Sequence, residues 1–156
     1  KTTQIIMVYL TIDGNDAKPV AAEIDTIAGR FMVNQILLYL GAFFTFAWGV
    51  AHLFPTKSVV KGFGDISKDN KHIITMEWIV EGLSLIFIGT IVAVVTMVDR
   101  HSNLSRSIYW ICFAELNLLS IVSLLTGFKV NFLPFKLCPI IFTGSSILIG
   151  WGGLLR

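Results

Sequence analysis

Charge is scarce in this chain. Lysine, arginine, aspartate and glutamate make up 14% of its 156 residues, where an ordinary soluble domain carries about 25%. The shortage, with a mean hydropathy of +0.76, argues against a fully hydrated surface and for an exterior that meets lipid. Cysteine is scarcer still. Cys112 and Cys138 form no CxxC and join no Cys/His cluster, which excludes a disulfide framework and a zinc site by spacing. Both read as small buried fillers. Basic residues form no block, so nucleic acid is not an expected partner. The stretch "KGFGDISKDN" has neither a phosphate-cradling nor an EF-hand spacing, and no cofactor or metal is predicted from motifs. In that stretch Asp65 and Asp69 read as helix caps or solvated groups.

Long apolar runs are what the chain has in their place. Four are long enough to span a bilayer: 31–54, 73–98, 108–128 and 133–155, the last with an uncertain start because of Pro139. In lipid each must be helical, since an unpaired backbone amide there costs several kcal/mol. Short links make sequential helices antiparallel neighbours. The expected fold is therefore an all-α membrane protein, four transmembrane helices in an up-down antiparallel bundle. Small residues at four-residue spacing mark close-approach faces: Gly41, Thr45 and Gly49, then Gly89 and Ala93, then Ser146 and Gly150.

Residues 1–30 precede the spans as an extramembrane or interfacial segment. "TTQIIMVYLTIDG" reads as an extended apolar piece ending at a turn, not as a signal peptide. Val20, Ile24, Ile27, Ala28 and Phe31 then share one face of an amphipathic helix. With the N-terminal side named side A, the basic residues divide evenly. Lys1, Lys18, Arg30, Arg100, Arg106 and Arg156 fall on A, and Lys57, Lys61, Lys68, Lys71, Lys129 and Lys136 on B. Setting aside distant Lys1 and the acidic N-terminal part points the side B loops to the cytoplasm.

The second span carries carboxylates into the membrane. Glu77 lies about one turn inside its start, and Glu81 about 12 Å in. Their spacing of four puts both on one face, with Ser84 continuing the stripe. Glu115 lies about 10 Å into the third span from side A. A charged carboxylate at the bilayer centre costs about 2.5–3.5 kcal/mol or more, so these groups are expected to turn inward or pair. His52, at the end of the first span, sits near the level of Glu77 and can offset a charge. The expectation is a polar pocket open toward side B, lined by His52, Glu77, Glu81 and Ser84, with Glu115 and Asn117 at its margin. Plainer readings stand beside it: Glu77 reaching water, Glu81 or Glu115 latching helices, His52 capping at the interface. The aromatics Trp48, Trp78, Tyr109, Trp110 and Trp151 read as an interfacial belt.

The residues "EGLSLIFIG", Glu81–Gly89, resemble the second-helix pattern of DoxX-like small membrane proteins: an acid before glycine, a Leu-rich run, a second glycine. Gly41, Gly49 and then Pro55 are similar in layout to the first helix of that family. Residues 1–30 lie outside the likeness. The resemblance implies a four-helix bundle, with one branch associated with quinone-linked sulfur oxidation and another with redox-stress membrane complexes. No cysteine pair is present to carry electrons.

Three functions follow as expectations. The first is an accessory subunit of a membrane complex, or a module binding a lipid or quinone, whose partners are the bilayer and other membrane subunits or further copies of itself. The second is a proton or cation pathway through Glu77, Glu81 and Glu115. The third is a membrane-embedded acid–base enzyme acting on an apolar substrate. A bacterial cytoplasmic membrane is the expected location.

Overall fold

The computed structural model describes the backbone of residues 17–154 and the side chains of 22–154. Those residues form five helices: α1 (Ala17–Leu53), α2 (Thr56–Gly62), α3 (Lys68–Asp99), α4 (Asn103–Leu125) and α5 (Leu133–Leu154), with a 3-10 turn at Gly127–Lys129. No strand occurs among the described residues. Four of the helices are long and apolar enough to cross a membrane, over Ala22–Leu53, Lys68–Asp99, Asn103–Lys129 and Leu133–Leu154. The protein is an all-α, multi-pass integral membrane protein.

The chain divides into two compact units, 1–34 and 35–156. The boundary falls inside α1. In the first unit the helix expected near Ile24, Ile27 and Phe31 is present, and those side chains are exposed. The extended piece predicted for "TTQIIMVYLTIDG" lies outside the described residues.

The second unit is the bundle, and side-chain register shows its antiparallel order. Gly49 of α1 meets Gly82 of α3, while Ala42, nearly two turns earlier, meets Gly89, two turns later. Gly41 faces Ser145, Leu148 and Ile149 of α5. Along α4 and α5, Gly153 packs on Tyr109, Gly150 on Phe113, and Asn117 bonds to Ser146. Leu38, Leu85, Leu116, Phe142 and Ile149 fill the centre, with Cys112 and Cys138 free and buried among them. The outer faces stay apolar: Phe43, Phe87, Ile111 and Ile140 are more than 60% exposed. In water such a surface would aggregate; in lipid it is solvated, and cohesion comes from close packing and interhelical hydrogen bonds.

Those bonds sit at buried and half-buried positions. Thr96 Oγ1 donates to Val92 O at 2.6 Å, which leaves Tyr109 to donate its hydroxyl to Thr96 at 2.9 Å. Ser120 donates to Pro139 O at 3.0 Å and takes a bond of 2.7 Å from Thr143. Asn117 Nδ2 reaches both Phe113 O and Ser146 Oγ. Replacing Asn117 with leucine is expected to cost about 1 kcal/mol, within the range of single interhelical bonds in membranes. Denaturant titration in detergent measures it, and an unchanged midpoint would remove Asn117 from the forces joining α4 to α5.

Polar residues set the helix ends. Ser67 Oγ accepts from Asn70 N at 3.1 Å and caps α3, the role expected of Asp65 or Asp69. Ser102 caps α4 through Ser105 N at 3.0 Å. Ser105 Oγ in turn donates to Asp99 O at 2.6 Å, tying α3 to α4. The link between α1 and α3, read as a loop, holds the short helix α2, anchored by buried Val59. Pro139 lies inside α5 and does not delay its start.

Candidate functional site

The close approach of α1 and α3 creates the site. A Cβ at Gly49 would stand 2.7 Å from Gly82 O, and one at Gly82 would stand 3.1 Å from Gly49 O. Only glycine at both positions lets the two backbones meet there. One turn beyond Gly49, His52 is 3% exposed. Its Nε2 lies 3.2 Å from Glu81 Oε2. With an ionised carboxylate the Nε2–H form of the ring is the one that pairs.

Trp78 completes the site and lies inside the bundle, not in an interfacial belt. It is 5% exposed. Its indole stacks on the His52 ring, centroids 3.9 Å apart and planes at 14°. Its Nε1 donates to His52 O at 2.5 Å. That carbonyl lies in the last turn of α1, where the helix leaves acceptors unpaired. Trp78 therefore fixes both the ring and the backbone of His52. Behind it Phe135 of α5 packs edge-on at 5.4 Å. Cys138 sits beside Trp48 and within the field of Glu81. The Trp48 indole N–H is buried there without a hydrogen bond of ordinary geometry.

The residues expected to share one pocket do not share it. His52 and Glu81 meet. Glu77 is exposed and makes no hydrogen bond or ion pair. Ser84 is exposed and donates to Val80 O at 2.8 Å. Glu115 is exposed as well, and with Ser84 it lines a separate groove between α3 and α4. The reason is rotational. At about 100° per residue, Glu77 and Ser84 fall within about 20° of each other, while Glu81 is turned about 40–60° from both toward the interior. Asn117, two residues from Glu115, faces α5 instead.

Gly41, Thr45, Gly49, Gly89, Ser146 and Gly150 are buried at helix contacts, and Ala93 is half-buried. Gly82 belongs with them, and its seven-residue distance from Gly89, which returns it to the same helix face, is the sequence signal for it.

The groove between α3 and α4 holds about 560 Å³. Its walls include Val80, Leu83, Phe87 and Ile91 of α3 and Ile108 and Ile111 of α4. Ser84 and Glu115 bring the polar atoms, and Cys112 also touches it. Among the described residues no three His, Cys, Asp or Glu side chains converge as metal ligands. The chain matches no protein-family model, no curated protein and no solved structure.

Proposed function

We propose that the protein is a non-catalytic membrane module that holds an elongated apolar molecule of lipid or quinone type in the α3–α4 groove. The observation that carries this reading is the groove's chemistry: about 560 Å³, mostly apolar walls, and the Glu115 carboxyl beside the Ser84 hydroxyl. Ligand sites are typically of this size, apolar with a few polar groups that fix orientation. Glu115 projects from a face otherwise suited to lipid, so a bound head group would relieve its exposure to hydrocarbon. A carboxyl accepts when ionised and donates when protonated, which suits a hydroxyl or a carbonyl head.

The other functions draw less support. A proton pathway needs its acids in one file, whereas Glu81 turns to His52 and Glu115 opens on the groove. An acid–base enzyme needs two groups facing one substrate, and the groove offers a single carboxyl. DoxX-like kinship, a bacterial cytoplasmic membrane and a cytoplasmic side B belong to the same proposal.

Photo-crosslinking tests it, using a diazirine-bearing quinone analogue and a diazirine-bearing phospholipid in nanodiscs. Labelling is expected to concentrate on 80–91 and 108–115. Filling the groove with Ile111→Trp should abolish it, and Glu115→Leu should weaken it about fivefold, the worth of one hydrogen bond. Labels spread evenly around the bundle, or indifferent to Ile111→Trp, would refute the proposal.

A further inference from the structure

Away from the groove, a second cleft of about 630 Å³ opens between α2 and the start of α3. Lys57, Lys61 and Thr56 line it from α2 and Lys71 and Thr75 from α3, with Asp65 of the connecting turn also in the lining. Three ammonium groups thus face one carboxylate. None of the three lysines forms an ion pair with a described residue. Lys57 and Lys61 are one helical turn apart, a spacing at which like charges repel, and α2 contains no acid to compensate them. Lys71 is half-buried.

The threonines refine the chemistry. Thr56 donates to Leu53 O and Thr75 to Lys71 O, each at 2.7 Å. Their protons are committed, so their oxygens are left as acceptors. Asp65 also accepts. A bare anion would find no use for these acceptors, but an anion with neighbouring hydroxyls would. The cleft's place in the chain points the same way. Phe54 and Phe63 flank α2 and are 83% and 50% exposed, and α3 enters its apolar stretch just after Lys71. The lysines therefore stand where a membrane-spanning helix emerges, at head-group level.

We propose that this cleft binds the phosphate of an anionic glycerophospholipid, the lysines holding the phosphate and the threonine oxygens and Asp65 accepting from head-group hydroxyls. Basic pockets beside transmembrane helices are suited to such heads. The same chemistry is presented by a free phosphate ester of glycerol. The site is independent of the α3–α4 groove.

The full chain, purified in neutral detergent, is titrated with phosphatidylglycerol and separately with phosphatidylcholine, and bound lipid is counted by native mass spectrometry. Phosphatidylglycerol is expected to bind preferentially. The double substitution Lys57→Gln with Lys61→Gln should lower its affinity about tenfold or more. Lys71→Gln, on α3, should lower it about threefold or more. Removing the same charge from side B outside the cleft, with Lys129→Gln and Lys136→Gln, should change it by less than about threefold. Competition with glycerol 3-phosphate separates the sources. Displacement of the lipid assigns the site to soluble phosphate esters, and no displacement assigns it to the bilayer. Equal losses in the cleft and control variants, or no preference for phosphatidylglycerol, would overturn the proposal.

Discussion

Alanine at Gly89 is expected to destabilise the bundle by about 2–3 kcal/mol, the upper range for overpacking by one methyl group. The new Cβ would stand 2.6 Å from Ala42 O and 2.7 Å from Phe46 N. These are backbone atoms of α1, so no rotamer change makes room, and the helices must separate. Gly49→Ala meets the backbone of α3 in the same way, 2.7 Å from both Gly82 O and Ile86 N. The double variant should lose less than the sum of the two, because helices already pushed apart accommodate the second methyl group more easily. Gly144→Ala is the control. A Cβ there meets nothing within 4 Å, so alanine should be neutral or add up to about 1 kcal/mol through helix propensity. Unfolding followed by circular dichroism in detergent compares all four. A Gly89→Ala variant as stable as Gly144→Ala would mean that α1 does not rest on α3 at this distance.

His52→Ala is expected to cost about 3 kcal/mol. The change removes the only ionic partner of Glu81, uncovers the Trp78 ring and opens a buried cavity. Breaking a buried pair by deleting one member typically costs 3–5 kcal/mol, and the one-third exposure of the Glu81 side chain places this case at the lower end. Glu81→Gln should cost less, about 1 kcal/mol, because the amide oxygen still accepts from Nε2–H. Tryptophan emission gives a second readout. His52→Ala should shift it as Trp78 loses its stacked partner, while Glu81→Gln leaves the stack in place. Equal costs for the two variants would show that charge, not packing against Trp78, holds His52.

Scarce charge and long apolar runs made four spanning helices legible, but not their ends. The chain is already helical at Ala17, well ahead of the apolar run that starts at residue 31, and α3 starts at Lys68, five residues ahead of the run that starts at residue 73. Hydropathy marks where lipid begins, whereas a helix continues until a cap such as Ser67 or Ser102 stops it. The level of His52 in the sequence points to Glu77, but the carboxylate that meets it is Glu81, one turn deeper. The dispersal of Glu77, Ser84 and Glu115 was not legible, because a polar stripe alone does not say which edge of a helix turns toward its neighbour. Gly49 and Gly82 decide that by fixing where α1 lies. Trp78 escaped for a related reason. A tryptophan near a span end is usually an interfacial anchor, and only the unpaired carbonyl of His52 explains why this one turns inward.

The serine-tied turn at Asp99–Ser105 carries a consequence for biogenesis. Three residues separate α3 from α4, and the Thr96–Tyr109 bond closes over a sequence separation of only 13. Contacts this local form early and cheaply in loop entropy. The two helices can thus enter the bilayer as a prefolded hairpin, α5 joining next across another short link. The glycine contacts of α1, reaching furthest along the chain, would close last. Pulled from both ends, the molecule should release α1 before that hairpin yields.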